Sequence, residues 1–597
     1  MKTRRRRRRR ITAKFVIILV LFIIALTLGI LVLSNSGSDN DNVVPGETQK
    51  PGLIDSIFSK TPEPTETPEP EPTETPEPPL PEFSPYAIEG TRPSDFGMET
   101  AIEVNGEIVS SYQREQTIDF GESRNYTQLE GIITFRGNNF RDNPAYGTAT
   151  IVEKTLDDAN AWIVNTGSVP KVYGSGAWTG SGWTGQPLIV RWPEETKRIM
   201  NLYDSAKNKT DLVEVIYATM DGHIYFLDLD TGERTRDPIN MGRYPFKGAG
   251  ALDPRGYPLM YLGSGDDSKD DGEGSSHASI ISLIDGKVLY EFGSKDSFSL
   301  RGKLSYFDSS ALVDAETDTL IYPGENGILY MIKLNTNYDV NAGTISVAPE
   351  VVKWRYKGSR NNSTATVDGS KGWWFGMEDS AIIWRGHLIV SDNGGHMMCI
   401  NLNTLELVWV QDVLDDTNCT AVLELENGHP YVYCSTSFHG GWRADTNAKA
   451  SIPIWKLDAE TGRIVWKNTD YSCQTVSGVS GGVQGSFAIG KGSLSELVFA
   501  PVAMTDGHRG KLVAFSKTEC NFAGYPWSSP VVVYDQNGNG YLIQCNSSGY
   551  MHLVDGQTGT ILYEFSLGSN VEASPAVFEN TVVVGTRGQK IYGVKIK

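Results

Sequence analysis

Cysteine is scarce in this chain, which has six cysteines among 597 residues and no two of them adjacent. The sequence contains no C-x-x-C-H haem-attachment motif, and its eight histidines show no zinc-like spacing with cysteine. Basic residues are also scarce beyond the N-terminus, because residues 1–14 hold nine of the 53, whereas all 72 acidic residues come later. Phosphate binding requires a basic surface, so nucleic-acid binding by this acidic body is excluded.

One long hydrophobic run lies near the N-terminus, at residues 15–33, and it contains no charged residue. A helix of this length spans roughly the ~30 Å hydrocarbon core of a bilayer. A cleaved signal peptide is the alternative, but its apolar region is normally only ~7–15 residues long and ends at a small-residue site, which this sequence lacks. The sequence therefore predicts a single-pass type II anchor, with residues 1–14 as a basic cytoplasmic tail and the rest of the chain extracytoplasmic.

The next segment, residues 34–85, is polar and includes the Pro/Glu-rich run TPEPTETPEPEPTETPEPPLP. Proline removes backbone donors and the glutamates repel one another, so this run favours an extended, disordered linker over a folded core. We interpret it as a stalk that holds the following domain away from the membrane.

The remainder of the chain repeats a pattern of strand, turn and strand. The turn carries Thr-Gly at Thr231–Gly232, Thr461–Gly462 and Thr558–Gly559, and related turns bring the total to seven, 40 to 68 residues apart. Period-2 alternation on both sides of a turn that needs positive φ indicates half-buried strands. A repeat of this size is typical of four-stranded propeller blades, so the predicted fold is an all-β propeller.

The C-terminal copy of the repeat begins an eighth blade but ends before its outer strand. Segment 161–167 is similar to the outer strands of other copies, so we expect it to pair with the C-terminal strand and close domain 161–597 as eight blades. Seven blades are the alternative if the copy at Thr518 is not a blade. Residues 86–160 contain an Asn-Gly hairpin signal and an aromatic, Arg-bearing stretch, and are expected to pack on the propeller as an N-terminal extension.

The spacing Asp458-x-x-Thr461-Gly462-x-x-x-Trp466 resembles the tryptophan-docking repeat of the quinoprotein-dehydrogenase-like propellers, also called pyrroloquinoline-quinone (PQQ) repeats. Trp409 holds the position of Trp466 in a weaker copy. The resemblance covers about residues 160–597 and implies that each outer-strand aromatic ring packs on the neighbouring blade. For an enzymatic member it also implies a bound quinone, a Ca²⁺ ion and a catalytic Asp. The adjacent cysteines that such members often carry near the quinone are missing here, so PQQ is not expected, whereas Ca²⁺ remains open.

The segments that precede the innermost strands should all emerge on one face, around the mouth of the central channel. Aromatic side chains with a few polar groups in such a concavity are typical of a ligand or peptide pocket. Packing between adjacent blades is the alternative role for each of them. The candidate residues are Trp183, Trp373, Trp374, Glu378, Asp379, Gln484, Trp527 and Glu572.

Two further sequences have the composition of cation sites. Asp535-x-Asn537-x-Asn539 has the oxygen-ligand spacing that opens calcium loops, with an Asn/Gly-rich hairpin turn as the favoured alternative. An acidic insertion in the second blade predicts either a solvated loop or a weak cation site. Its residues are Asp266, Asp267, Asp270, Asp271 and Glu273.

The cysteines allow two interpretations outside a membrane. Cys473 and Cys520 are placed in successive inter-blade loops and form the candidate disulfide. Cys399, Cys434 and Cys545 fall in predicted strands, where buried free thiols are the alternative.

Together these patterns predict a membrane-anchored, extracytoplasmic propeller that acts as a non-catalytic binding or scaffolding module of the cell envelope. Its expected partners are the membrane, through the N-terminal helix, and an envelope protein, peptide or glycan at the channel mouth. The alternative is a Ca²⁺- and quinone-dependent oxidoreductase. Fold alone does not decide between them, because one fold hosts many functions.

Overall fold

The computed structural model describes residues 82–182, 185–301, 304–358, 375–438, 449–474, 479–505, 510–514 and 518–597. These ranges contain many short strands, the two short helices α1 (Glu194–Ile199) and α2 (Asp204–Lys207), and 3-10 turns at Pro93–Phe96, Ser123–Asn125 and Gly492–Leu494. Within them, no helix has the length and apolar character needed to cross a bilayer. The predicted tail and span at residues 1–33, and the linker up to residue 81, lie outside the described residues.

The first seven strands belong to the N-terminal extension and to the closure of the ring. They are β1 (Glu99–Val104), β2 (Glu107–Val109), β3 (Glu130–Ile132), β4 (Ala145–Tyr146), β5 (Trp162–Asn165), β6 (Ser168–Pro170) and β7 (Ala177–Thr179).

The following strands build four consecutive antiparallel blades. Blade 1 contains β8 (Leu188–Arg191), β9 (Glu214–Ala218), β10 (His223–Asp228) and β11 (Ile239–Asn240). Blade 2 contains β12 (Ala251–Leu252), β13 (Leu259–Gly263), β14 (Ala278–Ser282) and β15 (Val288–Phe292). Blade 3 contains β16 (Leu312–Asp314), β17 (Thr319–Pro323) and β18 (Ile328–Lys333), then the hairpin β19 (Asn337–Asp339) and β20 (Thr344–Ser346), then β21 (Glu350–Lys357). Blade 4 contains β22 (Ile382–Trp384), β23 (His387–Ser391), β24 (His396–Asn401) and β25 (Leu407–Asp412).

Four more blades complete the ring. Blade 5 and its loops contain β26 (Val422–Glu426), β27 (His429–Cys434), β28 (Ser437–Phe438), β29 (Ala450–Ser451), β30 (Ile454–Asp458) and β31 (Ile464–Asn468). Blade 6 follows with β32 (Ser472–Cys473), β33 (Gly481–Val483), β34 (Ala488–Ile489), β35 (Val498–Ala503), β36 (Gly510–Ala514) and β37 (Thr518–Phe522). Blade 7 contains β38 (Val531–Tyr534), β39 (Gly540–Cys545), β40 (Tyr550–Asp555) and β41 (Ile561–Ser566). Blade 8 contains β42 (Ala576–Phe578), β43 (Thr581–Thr586), β44 (Lys590–Lys595) and, as its outer strand, β5.

The fold is therefore an eight-bladed propeller, and the seven-bladed alternative is wrong. The copy at Thr518 is a true blade, because β37 starts at that residue and pairs with β36. Burial falls from the centre outward: the first strand β16 is wholly buried, whereas the fourth strand β31 is largely exposed.

The ring is closed by strands from the two ends of the propeller domain. β5 is antiparallel to β44, with Trp162 opposite Gly593 and Asn165 opposite Lys590. This is the segment that the sequence assigned to closure. It gives the C-terminal sheet the outer strand that its own sequence does not provide, so β44 is not left as an open edge.

Tryptophan docking joins one blade to the next at the Thr-Gly turns. The Trp409 indole donates to the Ala459 carbonyl at 3.0 Å, and its ring lies over Gly462, where a Cβ would come within 2.5 Å of it. The Trp162 indole makes the equivalent bond to Leu229 at 2.8 Å and lies over Gly232, so the closing contact repeats the internal one. Both glycines have φ near +70°, a conformation that side chains disfavour.

The other residues that recur in the repeat form hydrogen bonds within the turns themselves. Thr461 donates from its hydroxyl and its backbone to the Asp458 carboxylate at 3.0 and 2.9 Å. Thr558 does the same with Asp555, at 2.9 Å for both bonds. Thr231 accepts from the Glu233 backbone at 3.2 Å instead. Trp466 is 39% exposed, and residues 515–517, which precede the repeat position Thr518 of the next blade, are outside the described residues.

A belt of hydroxyl groups links the starts of the innermost strands. The backbone N–H of Ser310 donates to the Ser380 hydroxyl at 2.8 Å, and that of Ser380 donates to Thr420 at 2.9 Å. On the other side of the ring, Ser529 donates to Ser574 at 3.1 Å in the same way. Because each bond crosses from one blade to the next, the serine or threonine before the innermost strand of blades 3, 4, 5, 7 and 8 has a structural role that recurs in the repeat.

The disulfide predicted between Cys473 and Cys520 is wrong. All six cysteines are buried, and none of them forms a disulfide. Cys473 lies at the end of β32 and Cys520 lies in the outer strand β37, rather than in two adjoining loops. Burial raises the pKa of the Cys520 thiol to about 12, so it stays protonated and unreactive.

Candidate functional site

The N-terminal extension enters the propeller instead of lying on its surface. β1 and β2 extend blade 3 outward through β21, and β3 and β4 add to blades 1 and 8. Residues 130–147, here called the plug, contact every blade from inside the ring of innermost strands. Its contacts are β3 with β8, Ile133 with Leu252, Thr134 with Ala311, Asn139 with Ile383, Phe140 with Leu423, Asp142 with Lys491, Arg136 with Pro530, and β4 with β42. The plug therefore crosses the channel inside the ring of innermost strands.

Two buried arginines fix the plug. Arg141 donates to the backbone carbonyls of Ala381 and Ser310 at 2.9 and 2.8 Å, and Arg136 donates to that of Pro530 at 3.0 Å. Burial lowers the pKa of each guanidinium to about 10, so both remain charged at neutral pH. The planar fork of arginine suits several carbonyls at once, which explains why arginine holds these positions.

One position recurs shortly before the innermost strand of each blade. It lies two residues before the belt position, so the eight copies form a ring, here called the mouth ring. Its described members are Gly248, Asp308, Glu378, Asn418, Gln484, Trp527 and Glu572, and the blade 1 member at residue 184 is outside the described residues.

Three carboxyl groups lie close together at this ring, and two of them belong to ring members. Asp308, Glu325 and Glu378 place carboxylate oxygens within 4.8 Å of one another. Asp308 and Glu378 are neighbouring members of the mouth ring, and Glu325 comes from the turn between β17 and β18. Asp308 and Glu325 are buried, with side-chain exposures of 2% and 11%, and Glu378 is partly buried.

The surroundings of this acidic trio are polar. Asn393 donates to Glu378 and to Asp416, at 2.9 Å each. Arg301 donates to the Asn393 side-chain oxygen at 2.6 Å and to the Glu325 carbonyl at 2.9 Å. The positive charge of Arg301 is thus held on the Glu325 side of the trio.

Burial and nearby carboxylates raise the pKa values of Asp308 and Glu378. Burial raises the pKa of Asp308 to about 7, although Lys247 opposes the shift. Burial, together with Glu325, Asp416 and Asp308, raises the pKa of Glu378 well above its ordinary value. Because like charges this close cannot all ionise, the trio takes up protons in the absence of a further cation.

Lys247 brings an ammonium group to the trio. Its Nζ lies 3.7 Å from Asp308 Oδ2 and over the rings of Trp178 and Tyr306, at 4.8 and 5.3 Å. Burial alone would lower the pKa of Lys247, but the surrounding carboxylates raise it, so this ammonium stays charged. Trp178, on the hairpin β6–β7, also donates to Asp266 at 2.7 Å.

The remaining predicted mouth residues have varied surroundings. Asp379 is buried and accepts from the Ser391 hydroxyl at 2.5 Å, and Gln484 donates to the Gly481 carbonyl at 3.2 Å. Trp527 is 7% exposed and packs in a hydrophobic cluster. Glu572 accepts from Tyr525 at 3.0 Å and lies 3.5 Å from Arg587. Residues 183, 373 and 374, the other predicted tryptophans, lie outside the described residues.

The two sequences with cation-site composition are organised by their own hydrogen bonds. Asp535 Oδ1 accepts from the backbones of Asn537 and Asn539, at 2.9 Å each, and Oδ2 accepts from the Asn539 amide at 2.8 Å. In the acidic insertion, Asp267 is buried and accepts from Ser276 and Gly274. These bonds give a hairpin turn and an ordered loop.

Sequence reasoning missed Asp308, Glu325 and Lys247. A signal for Asp308 was available, because FDSSA in blade 3 aligns with MEDSA in blade 4 and places Asp308 at the position of Glu378. Glu325 comes from a different part of its blade, and Lys247 reaches the trio from blade 2. The repeat alignment contains no signal for either.

Solved structures similar to this chain include two dehydrogenases and BamB. The quinohemoprotein alcohol dehydrogenase of Comamonas testosteroni is 12% identical over 79% of this chain and 81% of its own, with a TM-score of 0.46. BamB from Moraxella catarrhalis is 14% identical over 64% of this chain and 93% of its own, with a TM-score of 0.40. A europium-containing methanol dehydrogenase is 12% identical over 78% of this chain and 98% of its own, with a TM-score of 0.39.

No protein-family model matches the sequence, and no curated protein is similar to it in sequence. The strand pairing shows the propeller fold that the resemblance of the repeats implies. Similarity at this level concerns the fold, which the strand pairing establishes by itself, and function has to be argued from the mouth.

PQQ and Ca²⁺, the cofactors of enzymatic propellers, fit the residues at the mouth to different degrees. PQQ is a tricarboxylate, and the described residues would face it with the acidic trio and Asp416. Lys247 and Arg301 already contact Asp308 and Glu325, so the quinone does not fit this set of groups. Carboxylate oxygens are suitable ligands for Ca²⁺. A divalent ion beside the Lys247 ammonium is nevertheless disfavoured by electrostatic repulsion.

Proposed function

We propose that this protein is a membrane-anchored, extracytoplasmic propeller that binds an envelope ligand at the channel mouth without chemical conversion. The observation that carries the proposal is the combination of the plug with the acidic trio. The plug crosses the channel, and the trio brings three carboxyl groups together where the mouth-ring residues of blades 3 and 4 meet. A concave, mixed aromatic and charged surface of this kind is typical of a ligand site.

The anchored location rests on the sequence of residues 1–33. The basic run before the hydrophobic span favours a cytoplasmic N-terminus. The extended Pro/Glu-rich linker would then hold the propeller far enough from the membrane to contact envelope components. The expected partner is an envelope protein, peptide or glycan.

Ligand-dependent melting of the full-length protein in detergent tests the proposal. Soluble cell-wall fragments should raise the melting temperature, and Glu378→Gln should weaken that response. Glu496→Gln, which changes an exposed carboxylate on blade 6, is the matched control and should respond as the wild type does.

An enzymatic result would contradict this function. If PQQ with CaCl₂ raised the melting temperature and supported dye-linked alcohol oxidation, the oxidoreductase alternative would replace it. A lack of response to every envelope fragment would also reject the proposal.

A further inference from the structure

A cavity of about 420 Å³ lies between the C-terminal part of the plug and the strands β34 and β38 of blades 6 and 7. Its lining follows β38 from Val532 to Tyr534, whereas Trp527, the mouth-ring residue of blade 7, precedes that strand. None of the residues proposed for the mouth lines this cavity. It is therefore a second concave site, separate from the mouth.

Most of the lining residues are apolar. Aliphatic residues come from the plug and from both strands, and Tyr146 and Tyr534 add aromatic rings. A cavity of this volume, mainly apolar with a few polar groups, is the usual form of a small-molecule site. The proline and aliphatic residues of the lining are Pro144, Ala145, Ala488, Ile489, Val532 and Val533.

Arg136 brings a buried positive charge to this lining, since it is 1% exposed and its pKa falls only to about 10. Two of its guanidinium nitrogens have acceptors: Nε donates to the Arg141 carbonyl and Nη1 to the Pro530 carbonyl, at 3.0 Å each. The third nitrogen, Nη2, is buried and has no hydrogen-bond partner. The bond to Pro530 places the guanidinium at the start of the β38 wall. Because buried donors almost always have a partner, an unpartnered donor on a cavity wall indicates an acceptor that comes from outside the chain.

The charges at the cavity do not balance. Asp142 is the carboxylate among the described lining residues, and it already pairs with Lys491 at 2.7 Å and accepts from Asn138 at 2.7 Å. Within the described part of the chain Arg136 forms no ion pair, and its charge is stabilised by backbone carbonyls instead. A buried charge without a counter-charge is costly, so an anion in the cavity would be favoured.

Three ligand chemistries can be compared at this cavity. A metal cation would be repelled by Arg136 and Lys491. A neutral sugar would leave the guanidinium without a counter-charge and would place hydroxyl groups against aliphatic walls. A carboxylate has the planar acceptor geometry that matches a guanidinium, and an apolar chain attached to it would be buried against the aliphatic residues.

We propose that this cavity binds a small carboxylate that carries an apolar chain, with the carboxylate at the Arg136 guanidinium and the chain against blades 6 and 7. A short fatty acid and the C-terminus of a peptide that ends in an apolar residue share this chemistry. The site does not depend on the envelope ligand proposed for the mouth. Hydrogen bonds to charged groups are stronger than neutral ones, so an amide in place of the carboxylate should bind roughly tenfold or more weakly.

The experiment compares each acid with its amide on the full-length protein in detergent. Pentanoate and pentanamide represent the fatty acid, and N-acetylleucine and N-acetylleucinamide represent the peptide C-terminus. Inorganic phosphate represents an anion without an apolar chain. Isothermal titration calorimetry at pH 7 measures the dissociation constants, with the detergent solution alone as the blank. We expect at least one acid to bind roughly tenfold or more tightly than its amide, and more tightly than phosphate.

Two variants place the binding in this cavity. Lys491→Met removes a 55% exposed ammonium, so the fold should persist. The Asp142 carboxylate would then repel the acid, which should bind roughly fivefold or more weakly. Lys467→Met, which changes an exposed lysine on β31 of blade 5, is the matched control and should leave acid binding unchanged.

Arg136→Lys keeps the charge but removes the planar fork, so it should weaken binding of the acid more than binding of the amide. Far-ultraviolet circular dichroism shows whether this buried variant folds. If it does not, Lys491→Met and the comparison of acid with amide on the wild-type protein carry the test.

The outcomes separate the proposal from its alternatives. If neither acid binds, if the amides or phosphate bind as tightly as the acids, or if Lys491→Met leaves acid binding unchanged, the proposal is overturned. Binding of pentanoate alone would identify a fatty acid, binding of N-acetylleucine alone would identify a peptide C-terminus, and either result supports the proposal. None of these results bears on the response of the mouth to cell-wall fragments, which Glu378→Gln tests.

Discussion

The contact between Trp162 and Gly593 offers a direct test of how the ring closes. The two residues face each other across β5 and β44, and a Cβ added at Gly593 would overlap the Trp162 ring. Gly593→Ala should therefore displace the indole. Overpacking costs roughly 1–3 kcal/mol, and loss of the hydrogen bond to Leu229 adds about 1 kcal/mol. We expect the free energy of unfolding to fall by roughly 2–4 kcal/mol.

Removing the indole should cancel most of that cost. Trp162→Ala alone should lower the free energy of unfolding by less than the ~3–5 kcal/mol typical of truncating a buried tryptophan to alanine. The reason is that Trp162 is only partly buried. In the Trp162→Ala background an alanine at position 593 has room. The double variant should then be more stable than the sum of the single effects by roughly 1–3 kcal/mol, the size of coupling between residues in contact.

Urea unfolding of the full-length protein in detergent, followed by far-ultraviolet circular dichroism, measures these differences. The control pair is Gly593→Ala with Trp409→Ala, whose tryptophan docks on blade 5 and should give additive effects. Additive effects for Trp162 and Gly593, or a neutral Gly593→Ala, would refute the reasoning. Either result would mean that the terminal strands do not meet as described.

Three further predictions concern titration, the plug and the thiols. Because the folded state holds the pKa of Asp308 at about 7 against an ordinary 3.8, the folded protein binds more protons than the unfolded chain between about pH 4 and pH 7, so stability falls as pH rises through that window. Asp308→Asn should flatten this fall in melting temperature, and an unchanged slope would contradict the assignment. Arg141→Leu should destabilise the protein by roughly 3–5 kcal/mol in urea, because it leaves the carbonyls of Ser310 and Ala381 without their donor, and a loss below about 1 kcal/mol would be inconsistent with a locked plug. Ellman's reagent should find no reactive thiol in the native protein and six after denaturation, and fewer than six would show a disulfide.

The repeat made the blades predictable, because each turn has to satisfy the same local geometry. Gly232 and Gly462 have positive φ and accept a tryptophan on their open face, so the Thr-Gly spacing marks both the turn and the inter-blade contact. The same regularity identified the segment near Trp162, since an outer strand has to present an aromatic ring to the next turn.

The plug could not be predicted by these means. Residues 130–147 have neither helical nor strand periodicity, and their conformation depends on contacts with eight separate blades. Two arginines close together in FRGNNFRDN were visible as unusual, but burial of Arg136 and Arg141 follows only from the presence of free backbone carbonyls inside the ring. The long-range environment, rather than local propensity, determines this segment.

In this chain the belt residues stabilise the fold, whereas the mouth-ring residues belong to the proposed ligand site. The belt residue forms the inter-blade bond, so Ser380 and Thr420 are constrained by the fold. The residue two positions earlier does not form that bond, which explains why it varies from glycine to tryptophan among the described blades. Carboxylates occupy it in the adjacent blades 3 and 4, with Asn418 following in blade 5. Glu572 carries a third carboxylate at this position in blade 8, where it lies 3.5 Å from Arg587, so the carboxylates that cluster without such a partner on their own blade are those of blades 3 and 4, and a ligand held by them would sit off the propeller axis.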